Sequence, residues 1–306
     1  GMHVYRDGSV LVNISGKGTA KLDKCGDVEW TIDRMNHHSI TPAGDGGFWI
    51  PSHRAASETP EHLIFAPTTR DKLVNAPAGR LYQYENLILR TDAQGKVLEQ
   101  FSVLQAIYDA GLESVIWSTM HIKPDDPTHL NDIDIVTEPL ASKIEGVDSG
   151  DLLVSLRQTA QLAILDSETG ELKWQHAGPW VYQHDPDITA DGNIVVYNNS
   201  NYDLHFNRPA GSNLIELDPA VGETRVIYPT EGQPSFLSEL LGAHDLLPNG
   251  NRLIVESRAG RVFEINPAGD IVWDFVKPYD EYYASLIAYA QRVELDFFEV
   301  DDWSCE

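Results

Sequence analysis

The chain has 306 residues, 42% hydrophobic and 9% aromatic, enough to bury a large core as one all-β barrel or propeller domain over residues 1–306. Its 47 acidic against 22 basic side chains leave a formal charge of -25, which excludes a nucleic-acid or anionic-membrane surface and obliges any anionic ligand to find local positive charge. No apolar run approaches the ~20 residues of a membrane helix, and Cys25 and Cys305 are too few for a disulfide framework and lack a metal-binding spacing.

In chain order, the first feature is Gly1-Met2, which reads as a remnant of tag removal, with no signal-peptide pattern after it. A repeat then dominates. Five segments share an apolar strand, an Asp or Asn, a Gly three or four residues later, and a second strand: AKLDKCGDVEW, LILRTDAQGKVLE, AILDSETGELKW, IELDPAVGETRV and FEINPAGDIVW. Each follows a first hairpin, in YRDGSVLVNI, ITPAGDGGFWIP, HLNDIDIV with GDLLVSLR, DITADGNIVVY and LLPNGNRLIVE. In the fourth, Asp191-Gly192 is expected as a two-residue turn, which brings His184 and the end of the return strand, near Asn198 and Asn199, to one end of the hairpin.

Four-stranded antiparallel sheets repeated five times predict the blades of a β-propeller, because stacked blades bury faces that a single sheet leaves exposed. The expected blades span 8 to 33, 37 to 103, 128 to 178, 182 to 229 and 241 to 278. Between Ser52 and Glu85 an insertion of mixed polarity reads as a loop, Phe101 to Trp117 as a short amphipathic helix ended by Gly111, and Thr137 to Ser149 as an interruption of the third first hairpin. Trp30, Trp174 and Trp273 are expected in inter-blade packing. The tail after residue 278 alternates enough to be a strand beside the N-terminal unit.

Aligned on their turns, His38, His129, His184 and His244 stand at the start of the first strand of four successive units. First strands are innermost in a propeller, and antiparallel pairing brings the ends of the second strands to the same face. Those ends carry His53 and Arg54, Arg157, Asn198 and Asn199, and Arg258, so the pattern predicts a funnel of imidazole and guanidinium. One histidine at a blade start has a structural explanation, bonding a neighbouring turn. Four in register with arginines point instead to a site.

The segments HHSITPAGDGG, THLNDIDIV, GDLLVSLRQTAQLAILDSETGELKW, YQHDPDI and GAHDLLPNGNRLIVESRAGRVFEINPAGDIVW resemble the arylsulfotransferase family. The resemblance implies a six-bladed propeller with its active site in the channel, in a periplasmic or extracellular protein. It implies that His129, with Asn131 two residues on, Arg157 at an SxR strand end, His184 after Gln183, and His38 are active-site residues, with His184 the nucleophile. A neutral imidazole can attack sulfur to give a sulfohistidine. Arg157 is then expected to clamp the sulfuryl oxygens, and His129 or His38 to protonate the leaving phenol. His244, Arg258, Asn131, Asn198 and Arg54 are expected to line the site for a small anionic or aromatic substrate. No cofactor is needed in this scheme, and no phosphate-cradling Gly-rich loop is present. Two other classes are open: a propeller hydrolase or lyase holding zinc or calcium on His38, His129, His184 and His244, and a non-catalytic anion-binding propeller.

Overall fold

The repeat is explained by turn chemistry. In a computed structural model, which describes residues 1–55, 57–64, 83–119, 126–199 and 211–305, the side chain at each repeat's Asp or Asn accepts backbone N–H groups of its own turn. Asp23 Oδ1 takes Cys25 N and Asp27 N, Asp92 Oδ1 takes Gln94 N and Lys96 N, and Asn266 Oδ1 takes Ala268 N and Asp270 N. The following Gly26, Gly95 and Gly269 sit at φ 88, 78 and 84, a left-handed conformation that glycine adopts without a Cβ penalty. Asp166 and Asp218 use the longer version, with Gly170 N and Gly222 N donating back to their carbonyls. The Asp191-Gly192 turn is one residue longer than expected. Thr189 N bonds Asn193 O and Gly192 N bonds Thr189 O, so three residues form the loop and Gly192 closes it.

These turns build an all-β propeller with five four-stranded antiparallel blades. The first contains β1 (Met2–Val4), β2 (Val10–Ile14), β3 (Gly18–Leu22) and β4 (Val28–Ile32). In the second, the first-strand position is split between β5 (Met35–Asn36) and β6 (Thr41–Ala43), both paired with β7 (Gly47–Ala55), before β8 (Gln83–Thr91) and β9 (Val97–Ser102). The third has β10 (Leu130–Ile135), β11 (Leu152–Leu156), β12 (Gln161–Leu165) and β13 (Leu172–Ala177). The fourth has β14 (His184–Ile188), β15 (Ile194–Asn198), β16 (Asn213–Asp218) and β17 (Glu223–Tyr228). The fifth has β18 (Ala243–Leu246), β19 (Arg252–Glu256), β20 (Arg261–Ile265) and β21 (Ile271–Val276). The six blades that the family resemblance implies are not found: the described residues form five.

Contacts group the chain into two compact units. One comprises Gly1–Ile135, Gly150–Gln175 and Leu295–Glu306, the other Val136–Ser149 and His176–Glu294. In both, the middle strands are continuous apolar runs because both their faces are covered, as in LLVSL, QLAIL and IVVYN, where every residue is buried. Fourth strands such as β17 and β21 are largely exposed. These sheets therefore combine covered middle strands with open fourth strands.

The helical expectation for Phe101 to Trp117 resolves into α1 (Val103–Asp109) and α2 (Glu113–Thr119), separated at Gly111 with φ 69. Ser102 caps α1 by accepting Gln105 N. The interruption of the third blade is α3 (Glu138–Ala141). Of the insertion after Ser52, residues 65–82 lie outside the described residues. The tail is not a strand. Beyond the isolated bridge Pro278–Ala284 it has no ladder, and it is held by single contacts instead: Ile287 N on Ser257 O in the second unit, and Glu299 N on Arg6 O in the first. Cys25 and Cys305, too few for a framework, are bonded to each other and tie the tail to the turn between β3 and β4. Trp273 is 48% exposed and stacks on Phe275, so it does not pack between blades.

Candidate functional site

Except for Ala160, between β11 and β12, the non-glycine residues at positive φ among the described residues mark where the chain enters its first strands. His38 (φ 53), His129 (φ 51), Tyr182 (φ 56), Asp185 (φ 49) and Leu241 (φ 60) all lie at or just before the first strands of blades two to five. Such backbone is sparsely populated for residues with a Cβ and concentrates where surrounding structure over-determines it. Each of the two units carries two of the four first-strand histidines there.

In the first unit, Asn13 Nδ2 clamps the bend after β5 by donating to the carbonyls of His37, His38 and Ser39 at 3.0 to 3.1 Å. His37 is buried, stacks on His53 with centroids 3.9 Å apart, and meets His38 Nδ1 to Nδ1 at 2.7 Å. Burial, then the neighbouring His53, hold the His37 imidazole well below its usual range, so it is neutral. His38 stands edge-on to His129 at 5.3 Å. His129 Nδ1 hydrogen-bonds Asp126 Oδ2. Asp126 is buried, and His53 Nε2 lies 3.8 Å from its other oxygen. Burial pushes the Asp126 carboxyl up, but the hydrogen bond from His129 and the His53 imidazole outweigh it and hold the group well below the usual carboxylate range.

Asn86 completes this network. Its Oδ1 accepts Leu130 N at 3.2 Å, so its Nδ2 must donate, to Asp126 Oδ1 at 2.8 Å and Thr128 Oγ1 at 3.0 Å. Arg157 belongs here through its backbone, N bonding His129 O at 3.1 Å. Asn131 is buried within β10. Arg54 is committed elsewhere: it pairs with the fully buried Glu85, Nε to Oε2 at 2.5 Å.

In the second unit, buried His184 opens β14, and its Nδ1 faces Asn199 Oδ1 at 2.8 Å and Tyr182 O at 3.0 Å. Asn199 cannot be turned round, because its Nδ2 donates to Ser238 O at 2.8 Å and Leu241 O at 2.6 Å. Both atoms facing Nδ1 are therefore acceptors. Nδ1 thus carries a proton, and in the neutral imidazole the lone pair is on Nε2. Asn198 holds the backbone beside it, accepting Val181 N and donating to Asn213 Oδ1.

His244 has a different environment. Its side chain is fully enclosed, Nδ1 lies 2.9 Å from both Arg252 Nη1 and Asp187 Oδ2, and Nε2 lies 3.3 Å from Val195 O. Burial lowers its pKa to about 4. Its backbone N donates to Asp185 Oδ2 at 2.5 Å. Burial and the neighbouring Asp187 push Asp185 up to about 7, and burial pushes Asp187 up to about 7 despite the opposing charge of Arg252. Asp185, Asp187 and His244 are the one group among the described residues that brings three ligand atoms within 4.8 Å of one another. The four-histidine cage is thus not the arrangement that gathers metal-type ligands. Arg258 pairs with Glu239 at 2.7 Å, both about half exposed, and does not bring charge to His184.

Asp126, Asn86, His37, Asp187 and Arg252 escaped the sequence reading. Asp126, three residues before His129, left a signal, as did His37 beside His38 and Asp187 three residues after His184. Arg252 reaches His244 across the β18–β19 pair, and Asn86, on β8 of the second blade, reaches residues at the entry to β10 of the third.

The sequence model of the family described as Arylsulfotransferase (ASST) matches residues 1–278. Among curated proteins none matches the sequence. Among solved structures, a protein of unknown function from Bacteroides caccae is similar with a TM-score of 0.58 at 14% identity, covering 93% of this chain and 83% of that one. Selenomethionine-substituted virginiamycin B lyase from Staphylococcus aureus is similar with a TM-score of 0.48 at 12% identity, covering 90% of this chain and 69% of that one. At these identities the likeness is one of fold.

Proposed function

This chain belongs to the arylsulfotransferase family, and on that premise we propose that it moves a sulfuryl group from an aryl sulfate to a phenolic acceptor through a sulfohistidine on His184. The observation that supports this reading is the tautomer of His184. Asn199 and Tyr182 hold a proton on Nδ1, so in the neutral imidazole Nε2 is the nucleophilic nitrogen. The Nε2 lone pair forms the N–S bond as the S–O bond to the aryl group breaks and its electron pair leaves on the phenolate oxygen. The acceptor phenol reverses the exchange, its oxygen forming the new S–O bond as N–S breaks. Arg157 stabilises the sulfuryl oxygens, and His129 or His38 supplies and recovers the phenolic proton.

The scheme needs no cofactor. The Cys25–Cys305 disulfide and the family support an oxidising, exported location. No helix among the described residues is long and apolar enough to cross a membrane. The group of Asp185, Asp187 and His244 favours one second reading, a metal-dependent hydrolase or lyase.

The test is phenol release from an aryl sulfate with and without a second phenol. A sulfotransferase turns over faster with acceptor, and the wild-type protein gains one sulfuryl group on the peptide carrying His184, which His184→Ala loses. Release that ignores the acceptor and stops on chelation would establish the metal enzyme instead.

A further inference from the structure

We propose that Asp126 is a positioning residue that, with His129, forms an acid–base dyad in which His129 Nε2 is the proton-transferring atom. This rests on the sulfuryl-transfer reading for the identity of the proton, that of the phenol, but its geometry stands by itself.

The chain of orientation starts at the backbone. Leu130 N donates to Asn86 Oδ1, which fixes Asn86 Nδ2 as a donor toward Asp126 Oδ1. Asp126, an ionised and buried carboxylate, then presents Oδ2 to His129 Nδ1. Nδ1 must carry a proton, so neutral His129 has its lone pair on Nε2, and the charged imidazolium is stabilised by the adjacent carboxylate. His129 Nε2–H can give its proton to the departing phenolate as the S–O bond breaks. The resulting lone pair takes the proton of the acceptor phenol as the new S–O bond forms. The proton is recycled, and nothing else is consumed.

The same orientation predicts what Asp126→Asn does. Asn86 Nδ2 still needs an acceptor, so residue 126 keeps its oxygen there and turns its NH₂ toward His129. Nδ1 becomes the acceptor and the proton moves to Nε2, the wrong tautomer for taking a proton.

The experiment is ¹⁵N NMR of histidine-labelled full-length protein, with turnover of phenyl sulfate and 4-nitrophenyl sulfate measured in parallel. The wild type should show neutral His129 as the Nδ1–H form, and Asp126→Asn as the Nε2–H form. The variant should lose about 10²- to 10⁴-fold on phenyl sulfate, whose weakly acidic phenol needs a proton, and no more than about tenfold on the nitro compound. An Nε2–H form in the wild type overturns the proposal even if the variant does not fold, and so do equal losses on the two esters. If the wild type releases no phenol from either ester, the sulfuryl-transfer reading fails, whereas the tautomer still decides the pairing of Asp126 with His129.

Discussion

Asn199→Ala removes the side chain that holds His184, and the cost can be worked from its bonds. Nδ2 serves two carbonyls, of Ser238 and Leu241, and Oδ1 accepts from His184. Asn199 is fully buried, so the buried Ser238 carbonyl and the half-buried Leu241 carbonyl each lose a partner. An abandoned buried acceptor costs about 1 to 3 kcal/mol. Ser238 O keeps a 3.3 Å contact from Ser212 Oγ, which places it at the low end. Leu241, at φ 60, is held in a left-handed bend that the lost bond helps to close. With about 1 kcal/mol for the bond to His184, the expected loss is about 3 to 5 kcal/mol. His184 keeps Tyr182 O, at 3.0 Å, to hold the proton on Nδ1. Urea unfolding of wild type and variant at equal m-value gives the loss, and ¹⁵N NMR gives the His184 tautomer populations. A loss under 1 kcal/mol together with an unchanged, wholly Nδ1–H His184 would refute the reasoning.

The carboxyls of Asp185 and Asp187, raised to about 7, are neutral in the folded protein at pH 5 but ionised in the unfolded chain, so their contribution to stability is complete below about pH 4 and falls as pH rises to 7. Replacing both with Asn should be nearly neutral at about pH 4 and stabilising at pH 8 by about 1 to 3 kcal/mol. That figure is discounted because the Asp187 side chain is 39% exposed, and urea unfolding at the two pH values is the check. Gly192→Ala should cost more than 2 kcal/mol, because a Cβ at φ 78 would lie 2.5 Å from the Pro139 backbone. Gly26→Ala, at φ 88 with nothing within 4 Å, should cost only about 1 kcal/mol, and thermal unfolding of the pair separates strain from collision.

The blades were legible because their determinants are local. An Asp or Asn that bonds its own turn and a Gly at positive φ need no distant partner, so AKLDKCGDVEW or FEINPAGDIVW announces a hairpin by itself. Short apolar runs bounded by those turns do the same for the strands. The tail shows the limit of that signal: YYASLIAYAQRVELDFFEVDDW alternates like a strand, but no neighbouring strand offers it a ladder, and isolated contacts and one disulfide hold it instead. Strand pattern is local, whereas strand pairing is not.

The same division runs through the site. From the chain alone one could place His38, His129, His184 and His244 at the starts of successive first strands, because hairpin turns set that register. What each imidazole does is decided by partners far away in sequence. Asn199 fixes the proton of His184 across 15 residues, Asn86 reaches Asp126 across 40, and Asp187, Arg252 and Asp185 enclose His244. Arg54 and Arg258, equal to Arg157 as strand-end arginines, are drawn to Glu85 and Glu239. Local sequence determines where a polar side chain sits on its strand. Its protonation, tautomer and charge depend on burial and on the opposing dipoles and carboxylates, and those exist only once strands have paired and neighbouring blades have packed.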